Sequence, residues 1–112
     1  MAYDEKLNER IRSILAEKKI RYEAKKMFGG ICFLVKEKMC AGVVENKLMV
    51  RIDPDIYEDS LKKKGCSEMN FSGRPMKGFV FVTDEGIKTK KDLTGWIDKA
   101  LEFNPKAVRK NS

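Results

Sequence analysis

The sequence predicts an α+β domain, a two-layer α/β sandwich with a mainly antiparallel sheet and helices packed on one face. The order is α-β-β-β-β-α-β-β-α, and three observations predict it. Apolar residues recur at three- and four-residue spacing near both ends of the chain. Between those ends, short apolar runs rich in strand formers alternate with polar turns. The connections between successive runs are too short for crossovers, so neighbours must pair antiparallel.

The first helix spans residues 4–17, with Leu7, Ile11, Ile14 and Leu15 on one face and Asp4 as N-cap. Ile20, Tyr22 and Ala24 then alternate with charged residues, as on a half-exposed strand. Met27-Phe28-Gly29-Gly30 interrupts it, and the run Ile31 to Val35 follows. Lys36-Glu37-Lys38 is a turn, Met39 to Val44 the next strand, and Glu45-Asn46-Lys47 a second turn with Asn46 suited to the left-handed region. Leu48 to Ile52 completes a four-stranded meander. Asp53-Pro54 marks a helix start, since Asp caps free N–H groups and Pro lacks the one that would go unsatisfied. A brief strand at Met69-Asn70-Phe71, a loop over Ser72 to Gly78 and the strand Phe79 to Val82 come next. Thr89 to Asp92 reads as a capping box, and Leu93, Trp96, Ile97, Ala100 and Leu101 form the last helical stripe before Asn104-Pro105. Residues 1–103 therefore form one domain, and 104–112 a basic tail expected to be disordered.

Composition narrows the function. The chain has 112 residues, a net charge of +7, three cysteines and no histidine. Without histidine there is no Ser-His or Cys-His mechanism. Cys32, Cys40 and Cys66 are odd in number and contain no C-x-x-C spacing, so reduced thiols in a cytoplasmic protein are expected. With the turn centred near Glu37, Cys40 is expected opposite Leu34, which places no disulfide between Cys32 and Cys40. No apolar run is long enough to span a bilayer, and the N-terminus lacks a signal pattern. The positive charge is concentrated: residues 18–51 hold nine Lys or Arg against three Glu. No catalytic residues, cofactor or metal site are expected, and the chain is read as a non-enzymatic binding module.

Two segments go beyond generic architecture. One is Lys25-Lys26-Met27-Phe28-Gly29-Gly30, with Met39-Cys40-Ala41-Gly42 after the next turn. The other is Gly73-Arg74-Pro75-Met76-Lys77-Gly78-Phe79-Val80. With the opening Ala2-Tyr3-Asp4-Glu5 and the closing Leu93, Trp96 and Ile97 helix, they resemble the N-terminal domain family of the TfoX/Sxy competence regulators over roughly residues 3–103. The resemblance implies a two-layer α/β domain and a bacterial or archaeal cytoplasmic regulator acting on competence genes with the cyclic-AMP receptor protein at promoters. Those regulators carry a second, helical C-terminal domain, and this chain ends just after the first, so competence control does not transfer simply. The resemblance maps no catalytic residues onto this chain.

The expected function is a regulatory module acting through protein–protein contacts, with a transcription factor as the type of partner. The alternatives are direct nucleic-acid binding through the basic 18–51 region and tail, and binding of a small anion or metabolite. The candidate partner- or anion-binding residues are Lys25, Lys26, Gly29, Gly30, Arg51, Arg74 and Lys77. Lys25, Lys26, Arg74 and Lys77 are expected to converge on one surface beside the two glycine-containing loops. Tyr22, Phe28, Phe71, Phe79 and Phe81 form an alternative stacking platform for single strands, or else core. Several strands are apolar on both sides, with Cys32 and Leu34 opposite Ile31, Phe33 and Val35, and Val80 and Val82 opposite Phe79 and Phe81. An uncovered second face is thus expected to mediate a homodimer or to dock a partner.

Overall fold

A computed structural model describes residues 4–27, 30–71 and 74–106, with the backbone alone at 27, 69–71 and 74–77. Helix α1 (Glu5–Glu17) is capped by the Asp4 carboxylate, which accepts from the Lys6 and Leu7 N–H groups. Strands β1 (Glu23–Met27), β2 (Gly30–Val35), β3 (Lys38–Val44) and β4 (Lys47–Arg51) follow as a meander. A 3-10 turn (Pro54–Ile56), started by Asp53, leads into the short α2 (Tyr57–Leu61). Strands β5 (Cys66–Phe71) and β6 (Arg74–Val82) and helix α3 (Lys90–Phe103) complete the order read from the sequence. The six strands run β1-β2-β3-β4-β6-β5, and every neighbouring pair is antiparallel.

Local chemistry explains the turns. Lys36 and Glu37 both adopt positive φ, at 55° and 65°, the geometry whose twist matches a two-residue hairpin. At the next hairpin the left-handed residue is Glu45, φ 56°, and not the Asn46 expected from its side chain. Its carbonyl accepts from the Asp4 N–H at 2.7 Å, so this turn also fixes the start of α1. The expected loop at 72–78 is corrected as well, since β6 already begins at Arg74. Pro75 is tolerated because it pairs only with Asn70 on β5, whereas β4 overlaps β6 solely at Phe79 to Val82.

One face of the sheet carries the main core. Ile31, Phe33, Val35, Val43, Leu48, Val50, Val80 and Val82 meet Leu7, Ile11, Ile14 and Leu15 of α1 and Leu93, Trp96, Ile97 and Ala100 of α3. The two helices are also tied at their polar edges. Arg10 donates to the Ile87 and Thr89 carbonyls, and Lys18 and Lys90 reach Asp98 and Glu17. The ion pairs are largely exposed and contribute little to stability.

The face assignment corrects the sequence reading. Val80 and Val82 lie with Ile31, Phe33 and Val35 under the helices, while Phe79 and Phe81 share the second face with Cys32 and Leu34. A bulge between Phe33 and Leu34 sets Leu34 opposite Met39 and turns Cys40 into the main core. The second face is not an open apolar sheet. Cys32, Met39, Met49 and Phe79 form a buried cluster of their own, and only Leu34, Val44 and Phe81 are partly open. The expectation of a broad uncovered patch therefore falls. Gly42 contributes to this closure: a Cβ there would stand 2.6 Å from the Ile31 carbonyl oxygen and 3.0 Å from the Met49 methyl. Glycine lets Met49 fold flat over the strand.

The tail begins later than expected. Asn104 to Lys106 form a 3-10 turn that packs against the sheet. The buried Asn104 amide donates to the Val35 carbonyl at 3.0 Å, and the Lys38 ammonium donates to the Asn104 and Pro105 carbonyls. Residues 107–112 lie outside the described residues.

Candidate functional site

The topology separates the residues that were expected to converge. Strands β1 and β2 meet where Met27 pairs with Gly30, and β5 and β6 meet where Phe71 pairs with Arg74. Because each neighbouring pair is antiparallel, these two junctions fall at opposite ends of the sheet, and β1 and β5 are its opposite edges. Lys25 and Lys26 therefore form no common surface with Arg74 and Lys77. They also diverge from each other, since adjacent strand residues point to opposite faces. Lys25 pairs across from Cys32 and lies 3.6 Å from Glu23, and Lys26 pairs across from Ile31. Gly30 is buried, with its Cα packed so close to the Val43 carbonyl that a side chain would collide with it. Close strand packing explains it without a bound anion. Gly29 and Gly73 lie outside the described residues, as do the side chains of Arg74 and Lys77.

Arg51, a candidate binding residue, is occupied within the domain. It ends a central strand, half-buried, with its guanidinium 5.3 Å from the Phe79 ring centre and 5.7 Å from that of Phe103. Lys47 stands 5.4 Å from the Phe81 ring. Cations over aromatic faces cover the second cluster with charged caps. Burial lowers the Arg51 pKa, but a guanidinium keeps its charge in proteins. Tyr22 packs edge-on against Phe33 in the main core, and Phe79 is buried, so neither offers a free stacking face. Phe28 and the Phe71 side chain lie outside the described residues.

Three other basic residues of the 18–51 stretch are engaged within the domain. Lys18 serves the α1–α3 contact, Lys38 serves the 3-10 turn, and Lys47 approaches Glu45.

The thiols are free and poorly suited to nucleophilic chemistry. Burial pushes Cys40 up to about 12 and Cys32 up to about 11. Cys66 rises to about 11, again through burial, with Lys63 opposing the shift. At neutral pH about one thiol in ten thousand, or fewer for Cys40, would then be thiolate. Alkylation by iodoacetamide, followed by mass spectrometry, should be slow at pH 7 for all three. Its rate should keep rising beyond pH 9 rather than levelling there, and rapid neutral-pH labelling of Cys66 would contradict the burial argument. The same shifts fix a sign for stability. Unfolded thiols ionise near 9 and folded ones near 11–12, so stability from the protonated thiols is complete below about 9 and is lost as pH rises through about 12.

What the sequence reading missed is a groove along the outer side of α3, with a volume of about 620 Å³. One wall comes from Lys63 and Lys64 after α2 and from Glu85 and Gly86 before α3. The other wall is the helix from Lys91 to Glu102. Gly95 and the edge of Trp96 lie between them, with the Lys99 ammonium 5.8 Å from the Trp96 ring centre. Two signals in the sequence pointed here: a glycine inside an otherwise regular helical stripe, and the run of lysines at 62–64.

The family model for the TfoX N-terminal domain matches residues 15–104. The chain belongs to the TfoX N-terminal domain family. A search of the curated proteins returns no match. The TfoX match spans all six strands and α3, and therefore the frame that holds both walls of the groove. No helix among the described residues of this TfoX domain is long and apolar enough to cross a membrane. Among the same residues, no group of three or more His, Cys, Asp or Glu side chains is placed to hold a metal ion.

Proposed function

We propose that this TfoX-family domain is a regulatory module that works by docking onto another protein and has no chemistry of its own. A cytoplasmic transcription factor is the type of partner proposed, in keeping with the regulators whose N-terminal domains define the family. The groove along α3 carries this reading. It combines a floor of Gly95 and Trp96 with charges of both signs on its walls, as at the polar rim of a protein interface. The raised thiol pKa values support it against a thiol enzyme, and the engagement of Lys18 and Lys38 within the domain supports it against a phosphate-tracking surface.

The test is affinity capture of the tagged domain from its native host after mild crosslinking, with and without nuclease treatment. A defined partner protein retained after nuclease treatment is the expected result. Loss of every captured protein on nuclease treatment, together with tight binding to random-sequence duplex at physiological ionic strength, would replace protein docking by nucleic-acid binding.

A further inference from the structure

We infer that the α3 groove receives an acidic segment of the partner with apolar residues between its carboxylates. This inference rests on the protein-docking reading above and adds the place and the chemistry.

The first support is Gly95. It sits in the middle of α3, exposed, and a Cβ built there meets nothing within 4 Å. No packing inside the domain calls for glycine, although glycine in a helix interior is unfavourable relative to alanine. Its effect is to bare the helix backbone beside Trp96 and to deepen the groove, which suits close approach by another chain.

The second support is the charge on the walls. Lys63, Lys64, Lys91 and Lys99 line the groove from both sides. None takes part in an ion pair or side-chain hydrogen bond among the described residues, whereas Lys18, Lys25, Lys47, Lys90 and Lys106 do. An opposing carboxylate from a partner would meet ammonium groups that no carboxylate of the domain already neutralises, Lys99 being held over the Trp96 ring.

The carboxylates decide between a peptide and a nucleic acid. Asp92 lies in the first turn of α3, Glu102 in its last, and Glu85 on the facing wall. A phosphate backbone carries a negative charge at every nucleotide and would be repelled at each of these points. A peptide can set carboxylates against the lysines and apolar side chains against Gly95 and Trp96. From Lys91 to Glu102 the helix rises roughly 16 Å, the span of about five extended residues.

Trp96 is the only tryptophan in the chain, so its emission reports on the floor of this groove and the core beneath it without background from another indole. The probe is a blocked peptide of about six residues in which glutamates alternate with leucines. A saturable change in Trp96 emission is expected at physiological ionic strength. The double variant K63E/K64E and the groove-filling variant Gly95→Leu should each weaken binding by about tenfold or more. Neither position is in the core, so K63E/K64E should keep the wild-type melting temperature, and Gly95→Leu should keep or raise it because leucine suits a helix interior better than glycine. The inference is overturned if no emission change occurs, if both variants bind as wild type, or if oligo-dT binds as tightly as the peptide. Gly95→Leu in the capture experiment separates the two readings. If the variant retains the same nuclease-resistant partner, protein docking stands and the groove assignment fails. If wild type captures none, the docking reading itself fails.

Discussion

Val80→Lys should unfold the domain at room temperature, while Leu34→Lys should leave it folded. Val80 is fully buried on β6, one strand in from the edge, paired with Val50 on one side and Glu68 on the other, within the main core. A lysine there must either bury an unpaired ammonium or lose its proton, and both routes are costly. Its core-facing neighbours are aliphatic and aromatic, and the carboxylate paired beside it, Glu68 on the edge strand β5, is itself exposed to water. The expected loss is more than about 4 kcal/mol, a large part of the roughly 5–15 kcal/mol available to a domain of this kind. Leu34 is only partly buried, on the second face near the edge formed by β1. A lysine can lay its stem along that surface and keep its ammonium in water, at a cost on the order of 1 kcal/mol. Circular dichroism of the two purified variants, with urea titration of whichever folds, checks both. Two variants of equal stability would mean that the faces are assigned wrongly.

That contrast marks where the sequence was legible and where it was not. Element order and type followed from periodicity and turn chemistry, because α1, α3 and the strands each carry a local pattern that agrees with the final fold. Facing was harder. Phe79-Val80-Phe81-Val82 is apolar on both sides, so its pattern cannot say which side meets the helices; the pairing of Val80 with Val50 and of Phe79 with Arg51 settles it. Register across the β2–β3 hairpin was hidden too, because the bulge that sends Cys40 into the core leaves no local signature. Asn104 gives the same lesson at the C-terminus. Asn-Pro ends a helix by local rules, and the same Asn closes the fold by donating to Val35, a partner 69 residues away in sequence.

The site was less legible than the fold, for a related reason. Motif residues on loops invite grouping when only the sequence is known, but Lys25 and Lys26 and the pair Arg74 and Lys77 are separated by strand order, a long-range property. The groove lysines come from one connection and one helix, and only the packing of α3 beside residues 63–64 brings them together. Gly95 was visible as an anomaly of helix propensity, and its meaning depended on knowing that no neighbour fills the space beside it.

Trp96→Ala should cost about 3–5 kcal/mol, the range for truncating a core aromatic. Trp96 is 5 % exposed and sits in the main cluster with Leu93, Ile97 and Ala100, so most of its ring is removed from water by the domain itself. Its remaining edge faces the groove under Lys99. Truncation would leave a void, because the sheet and the neighbouring core residues Leu93, Ile97 and Ala100 hold α3 at its present distance. The groove would also open inward, exposing neighbouring core surface to water. Urea unfolding followed by circular dichroism gives the difference, since the variant lacks the fluorescent probe. The native protein offers a second check: its emission should be blue-shifted and resist quenching by iodide, then shift to the red on unfolding. A loss below about 1 kcal/mol, or emission already red-shifted in the folded state, would place Trp96 on the surface and remove the apolar floor of the groove.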